Sequence, residues 1–276
     1  MTDDRPLDEQ VRHRLDGGVS WITLNRPEAH NALTPAQRDR VVDLLHAASE
    51  DLAVRCVVLT ATGRGFCTGA DLRGGRPAGA PRPVGAPDRA VGDVARVLRD
   101  GTQRLVAAVL DCEKPVIAAV NGTAAGLGAH LAFACDLVLA AESALFVEVF
   151  VRRGLVPDAG GAYLLPRLVG LQKAKELLFF GDPLSADDAA AIGLVNRVVE
   201  DHDLEATAAA WSQRLAAAPT RAVALTKWLV NRSLDVDRST AFADEALAQD
   251  LNMATRDAGE GVAAFVERRE PEYRGW

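Results

Sequence analysis

Two short, nearly unbroken apolar runs, CVVLT at residues 56–60 and VIAAV at 116–120, set the tightest limit on the fold. Each is flanked by charge, proline or glycine, and each is too short for an ordinary helix, so both read as buried strands. Residues 19–24, VSWITL, alternate small and large apolar side chains in a β-prone run and read as a third. Between residues 19–24 and 56–60 lies a helix signal: Thr34-Pro35-Ala36-Gln37 offers an N-cap hydroxyl, a first-turn proline and a glutamine three residues on. That is a capping box, which predicts a helix running to about Ser49. Strand signals alternating with helical stretches imply βαβ units and a mostly parallel sheet, so the predicted class is α/β.

The remaining sequence bounds the partners and the compartment. With 276 residues, 49% of them apolar and 25% charged, the chain has the make-up of an ordinary soluble domain with an appendage. Its 31 Lys and Arg against 38 Asp and Glu give a net charge of −7, with the basic residues scattered. Neither nucleic acid nor an anionic membrane is therefore expected as a partner. No apolar run reaches a membrane-spanning length, and residues 1–9 are polar and acidic rather than signal-like, which predicts a cytoplasmic location. Cys56, Cys67, Cys112 and Cys135 are widely spaced, without a C-x-x-C pair, and suggest neither a disulfide framework nor a metal site. Residues 73–87, RGGRPAGAPRPVGAP, hold too much glycine and proline for a regular element; they read as a loop, either a lid over a ligand or a solvated insertion. From residue 204 onward, apolar residues at three and four spacing predict helices over 204–217, 221–230, 240–252 and 261–268. The expected division is a core of residues 1–203 and a helical oligomerisation region of 204–276.

Two glycine-bearing turns follow predicted strands: GRGFCTGADL at 63–72 and NGTAAGLG at 121–128. A strand that ends in small residues and enters a helix leaves amide N–H groups unpaired at a point where the helix dipole favours negative charge. Two such turns facing each other make an oxyanion hole. The glycines are also readable as plain tight turns. Neither segment holds the P-loop Lys-Ser/Thr pair or the dinucleotide G-x-G-x-x-G spacing, which argues against nucleotide hydrolysis and hydride transfer.

These segments resemble a known family. LNRPEAHNAL (24–33), GRGFCTGADL (63–72), KPVIAAVNGTAAGLGAHLAFACDLVLA (114–140) and GLVPDAGGAYLLPRLVG (154–170) are similar in order to the enoyl-CoA hydratase/isomerase, or crotonase, superfamily. IGLVNRVV (192–199) and EGVAAFVERREPEY (260–273) extend the likeness. The resemblance implies a spiral of ββα repeats followed by a helical trimerisation region, assembled as a homotrimer or a dimer of trimers. It implies an acyl-CoA thioester as substrate, coenzyme A being carried by that substrate rather than by a resident cofactor. It further implies that the N–H groups of Ala70 and Leu127 hold the thioester oxygen, with Gly126 and Gly128 giving the second turn room. The coenzyme A moiety is expected against Arg26, Ala29, Thr68, Ala70, Asp71, Leu72 and Arg73, together with Phe265, Tyr273 and Arg274 from the C-terminal helices. For Arg26, Arg73, Phe265, Tyr273 and Arg274, a solvated arginine or a core aromatic is the blander reading.

The sequence departs from the hydratases of that family, which use two glutamates. The positions that would hold them carry His130 and Phe150, and a phenylalanine neither activates water nor donates a proton. Glu148 lies two residues away as a displaced substitute. The acid that remains is Asp158, in GLVPDAGG, a match to the superfamily's isomerases such as those acting on 2-(1,2-epoxy-1,2-dihydrophenyl)acetyl-CoA. One carboxylate suffices for isomerisation, since it removes a proton α to the thioester and returns it at the γ-carbon. Asp158 also reads as an N-cap of the following helix. Apolar neighbours such as Val149, Phe150 and Leu155 are expected to raise its pKa. His130 is a second candidate participant, or a buried histidine satisfied by backbone. The expectation is an acyl-CoA isomerase, with a hydratase using displaced groups or a silent acyl-CoA binder as alternatives.

Overall fold

A computed structural model describes residues 5–73, 83–87 and 91–276. Most of the glycine- and proline-rich stretch 73–87, read above as a lid or an insertion, lies outside the described residues. The chain runs α1 (Leu7–Gln10), β1 (Val11–Asp16), β2 (Val19–Leu24), α2 (Pro35–Glu50), β3 (Cys56–Ala61), β4 (Gly65–Cys67), α3 (Asp93–Leu98) and α4 (Arg104–Leu110). It continues through β5 (Val116–Val120), β6 (Thr123–Ala125), α5 (Leu127–Phe133), β7 (Leu137–Ala141), β8 (Leu145–Val147) and α6 (Gly161–Phe180). Then come β9 (Leu184–Ser185), α7 (Ala186–Ala191), β10 (Arg197–Val199), α8 (Leu204–Ala216), α9 (Thr220–Ser233), α10 (Arg238–Met253) and α11 (Arg256–Glu267).

The strands form two sheets, one of order β1-β2-β3-β5-β7-β10 and one of order β4-β6-β8-β9. Apart from the β1–β2 hairpin and the β8–β9 pair, every neighbour is parallel. Successive turns of the chain therefore lay one strand in the large sheet and the next in the small one: β3 then β4, β5 then β6, β7 then β8. This is the ββα spiral that the resemblance implied.

The apolar runs have a direct cause. On one side of the large sheet Val57, Leu59, Val116, Ala118 and Val120 join Leu45, Phe66 and Leu131 in the main core. On the other side Cys56, Val58, Ile117 and Ala119 pack with Leu204, Ala208 and Ala216 of α8. Strands covered on both faces read as continuous apolar sequence, because neither alternating set can be polar. The helix α8, first of the C-terminal series, thus closes the outer face of the sheet. Lys227 of α9 is buried and ties the next helix down, its Nζ lying 2.8 Å from Asp136 and donating to the carbonyl of Val109 at 2.9 Å.

Local signals resolve as capping geometry. Thr34 Oγ1 accepts from the Gln37 amide at 3.3 Å and Gln37 Oε1 accepts from the Thr34 amide at 2.8 Å, so the capping box forms in full. All four cysteines are free and buried. Among the described residues no helix is long and apolar enough to cross a membrane.

The loops after β3 and β5 are pressed together backbone to backbone. A Cβ placed on Gly122 would stand 2.2 Å from the Arg64 carbonyl oxygen, and one on Gly128 only 1.9 Å from that of Cys67. No rotamer change relieves such an overlap, because the obstructing atoms are main chain. Replacing Gly122 by alanine should therefore lower stability by about 3 kcal/mol, the upper end of overpacking costs. The shift of the chemical denaturation midpoint measures it, and a change within 0.5 kcal/mol, roughly the effect of an ordinary surface substitution, would contradict it.

Candidate active site

Residues 24–33, 62–73 and 121–128 are remote in sequence and meet at the carboxyl ends of β2, β3 and β5. Asn31 does much of the stitching. It is buried with φ of 55°, and its Nδ2 donates to the carbonyls of Thr62 at 2.9 Å and Gly65 at 2.7 Å, while its Oδ1 accepts from the Arg26 amide at 2.7 Å. Left-handed backbone is tolerated by asparagine better than by most residues, which fits its place here. Thr68 adds two bonds to the His30 carbonyl, from its amide and its hydroxyl, both 3.2 Å.

The orientation of the Ala70 amide follows from its neighbours. Leu33 donates to the Gly69 carbonyl at 2.8 Å and accepts from the Asp71 amide at 2.9 Å, in a single parallel bridge. In extended chain, successive N–H groups point to opposite sides, so the N–H of Ala70 is turned away from Leu33. Across from it, Leu127 is the first residue of α5, whose opening amides have no intrahelical partner. The two turns face each other at close range: a Cβ on Gly69 would lie 3.8 Å from the Leu127 nitrogen and 3.2 Å from the Ala125 carbonyl. Two main-chain donors, one at a helix N-terminus, thus lie close together, an arrangement able to stabilise an oxygen that becomes negative during a reaction.

The rim beside Ala70 is fixed by charge. Arg26 is buried; its Nη2 donates to Asp71 Oδ2 at 2.6 Å and its Nη1 to the Ala32 carbonyl at 3.0 Å. Exposed Arg73 binds the same carboxylate through Nε at 3.0 Å and Nη2 at 3.1 Å. The Arg73 hydrogen bonds, with those of Arg26 added, hold Asp71 well below the usual carboxylate range against the opposing effect of burial. Arg26 and Asp71, read from sequence as ligand contacts, are engaged with each other and fix the backbone beside Ala70. Ala29 is buried in the turn that follows Arg26, whereas Leu72 and Arg73 are exposed at the rim.

Asp158 approaches from the β8–α6 connection. Ala159 has φ of 48° and is fully buried, and Gly160 follows at 80°, a reversal that turns the chain into α6. A non-glycine residue held in that region marks a conformation imposed by its surroundings. The Asp158 carbonyl accepts from the Gly161 amide at 3.0 Å, but its carboxylate makes no hydrogen bond among the described residues and caps nothing. The N-cap reading of its side chain is thereby replaced, since the helix opens on Gly160. Burial pushes the Asp158 pKa above the ordinary aspartate value, with a partial offset from the nearby His130. Of the apolar neighbours expected from sequence, Leu155 instead faces solvent at 55% exposure.

His130, on α5, has no exposed surface, and its partner is a side chain rather than backbone: Nε2 lies 2.9 Å from Glu148 Oε2. Glu148 is itself only 5% exposed. The Phe150 ring stacks on the imidazole at 5.4 Å and lies 3.5 Å from where a Gly126 Cβ would be. Gly161 packs still more closely on the imidazole, a Cβ there falling 2.2 Å from His130 Nε2. Asp158, His130, Phe150 and the Gly126–Leu127 turn are therefore contiguous in the fold. The Glu148 pairing escaped sequence reasoning, because 18 positions and two strands, β7 and β8, separate it from His130.

The C-terminal candidates sit elsewhere in the chain's own fold. Arg55, immediately before β3, donates to the Tyr273 carbonyl at 3.2 Å, and Asp257 of α11 accepts from the amides of Arg274 at 2.8 Å and Gly275 at 2.7 Å. That is the amino end of β3, about 20 Å along a six-residue strand from the turn that carries Ala70. Phe265 is 85% exposed on α11.

Known proteins share the sequence pattern and the fold. A family model described as enoyl-CoA hydratase/isomerase matches residues 14–275. The 1,2-epoxyphenylacetyl-CoA isomerase of Escherichia coli (strain K12) is 38% identical over 269 residues, 97% of this chain and 99% of that protein. The crotonyl-CoA hydratase of Syntrophomonas wolfei is 38% identical over 258 residues, covering 92% of this chain and 94% of its own. Among solved structures, the enoyl-CoA hydratase of Bacillus anthracis superposes with a TM-score of 0.86 at 33% identity, over 97% of this chain and 100% of that one. Facing amide turns on a ββα spiral, matched by family and fold across almost the whole sequence, lead to one conclusion: the chain belongs to the enoyl-CoA hydratase/isomerase family.

Proposed function

We propose that this protein is an acyl-CoA isomerase that shifts a double bond, or rearranges an epoxide-derived system, through a thioester dienolate. The observation that supports this reading best is the division of carboxylates around the cleft. Glu148 is committed to His130, Phe150 fills the place of a second acid, and Asp158 alone carries a carboxylate without a bond to any described side chain. In the proposed reaction Asp158 takes the α-proton, the amides of Ala70 and Leu127 hold the oxygen as charge develops, and the resulting acid returns the proton at the γ-carbon. Bonds and charge balance with no water consumed. The coenzyme A moiety would lie along the rim formed by Ala29, Thr68, Leu72 and Arg73.

Hydration has one observation in its favour. The buried His130–Glu148 pair is a second group able to handle a proton, and a hydratase needs two such groups. Mass separates the readings, since isomerisation conserves it and hydration adds one water. The apolar side chains exposed on the C-terminal helices, among them Trp228, Phe242, Leu247 and Leu251, support assembly of residues 204–276 as a homotrimer or dimer of trimers.

With a 3-enoyl thioester the protein should generate conjugated absorbance at unchanged mass, and Asp158→Asn should lower kcat/KM by about 10²–10⁴-fold, the usual worth of a positioned base. Product heavier by one water would contradict the isomerase reading. The acid limb of the kcat/KM profile should lie above the ordinary aspartate pKa, because Asp158 acts only when ionised and burial resists ionisation. The same shift has a stability consequence. A carboxyl whose folded pKa is raised costs the native state stability as pH climbs through the unfolded and then the folded value. Asp158→Asn should therefore unfold at an equal or higher temperature than the parent at neutral pH, and a clear loss of thermal stability would contradict the placement of that charge.

A further inference from the structure

The helix that follows Asp158 is weakly held by its own backbone. α6 opens on Gly160 with no side-chain cap, carries Pro166 inside it and is interrupted at Gly170, where φ is 76° and ψ is 165°. Pro166 has no amide to give the Ala162 carbonyl, so the first turns lose an internal bond. The opening bonds that remain run to the Asp158 loop. The Gly161 amide donates to the Asp158 carbonyl at 3.0 Å, and the amides of Tyr163 and Leu164 both donate to the Gly160 carbonyl, at 2.9 and 2.8 Å. Whatever fixes Tyr163 therefore fixes the turn that carries Asp158.

Leu164 and Leu165 face the core, and the exposed side of the same turn is gripped by the C-terminal helices. Tyr163 Oη donates to Asp235 Oδ2 at 2.5 Å, and Arg167 Nη2 donates to Asp235 Oδ1 at 2.7 Å. The Arg167 guanidinium lies 3.7 Å from the centre of the Tyr163 ring and its Nη1 donates to the Tyr163 carbonyl at 3.0 Å, so each of the three groups holds the other two. Hydrogen bonds from Tyr163 and then from Arg167 keep the Asp235 carboxyl below the ordinary aspartate range. Asp235 itself stands on a fixed post. It follows the end of α9, which is fastened to the core by Lys227 at the Asp136 carboxylate and by Asn231, whose Nδ2 donates to the Leu110 carbonyl at 3.1 Å. The helix that ends at Leu110, α4, also meets the Asp158 loop: Val106 Cγ1 lies 3.5 Å from where a Gly160 Cβ would be.

We propose that Asp235 is a positioning residue for the reaction: through Tyr163 and Arg167 it locks the first turns of α6 to the end of α9 and so holds Asp158 at its working place and angle. The proposal rests on the reading of Asp158 as the base. A base delivers its rate only when held close to the reacting atom, and a displacement of ~1 Å can cost about 10²-fold. The three side chains are only partly buried, and exposed ion pairs add little to global stability. Rate and stability should therefore part company when the lock is removed.

Steady-state turnover of a 3-enoyl thioester, with calorimetric binding of its saturated counterpart, tests this. Asp235→Ala should lower kcat by roughly 10- to 100-fold while KM and the affinity for the saturated thioester change by less than about twofold. Tyr163→Phe, which keeps the ring beneath Arg167 and loses only the hydroxyl, should fall between the parent and Asp235→Ala. Asp235→Glu keeps the charge and should recover most of the lost kcat. Melting temperature, and particle mass by light scattering, should match the parent throughout. An unchanged kcat in Asp235→Ala and Tyr163→Phe, no recovery in Asp235→Glu, or a loss that tracks a lower melting temperature or an altered mass would overturn the proposal while leaving the isomerase reading intact. A parent protein that does not isomerise, or that isomerises equally well as Asp158→Asn, would overturn both.

Discussion

The contact on which the site depends is between two stretches of main chain. Gly128 at the start of α5 lies so near the Cys67 carbonyl that any side chain would collide with it, and Gly69 stands opposite the amide that opens α5. This proximity sets the spacing of the Ala70 and Leu127 donors, and it is enforced by parallel strands β3 and β5 that deliver both turns to the same end of the sheet. Backbone dipoles held in this way need no reorganisation as negative charge develops, which is why side chains at the two positions can be small or apolar.

Around that fixed pair, charge is sorted into two kinds. Asp71 is held ionised by two arginines and serves as a clamp on the Ala70 turn, whereas Asp158 is set in a partly apolar wall where ionisation is resisted. A carboxylate already neutralised by partners is a poor base; one that is desolvated and unpaired is a better one. The buried left-handed backbone at Ala159 lies directly beside this second group, a conformation imposed by its surroundings.

Much of this was legible in the sequence because it is local. The capping box at Thr34, the apolar runs of β3 and β5 and the glycine turns depend on residues a few positions apart, and each formed as read. The family likeness carried the spiral, which no single segment encodes. What could not be read depends on side chains that meet only after folding: Arg26 with Asp71 across 45 positions, Asn31 with Thr62, and His130 with Glu148. Asp158 appeared as a candidate cap because Asp before a glycine-rich helix start carries that signal, and only the left-handed Ala159 and Gly160 reveal that the helix opens later. The tail residues Tyr273 and Arg274 carry a family motif, yet their bonds to Arg55 and Asp257 place them at the opposite end of β3.

The central claim is that one aspartate removes a proton from a carbon whose neighbouring thioester oxygen is gripped by two amides. Deuterium uptake tests it most directly. A saturated acyl-CoA incubated with the protein in D₂O should gain deuterium at the α-carbon, as read by mass spectrometry, and Asp158→Asn should abolish the gain while the thioester still binds. Exchange that proceeds undiminished in the variant, or that never occurs in the parent protein despite binding, would contradict the account.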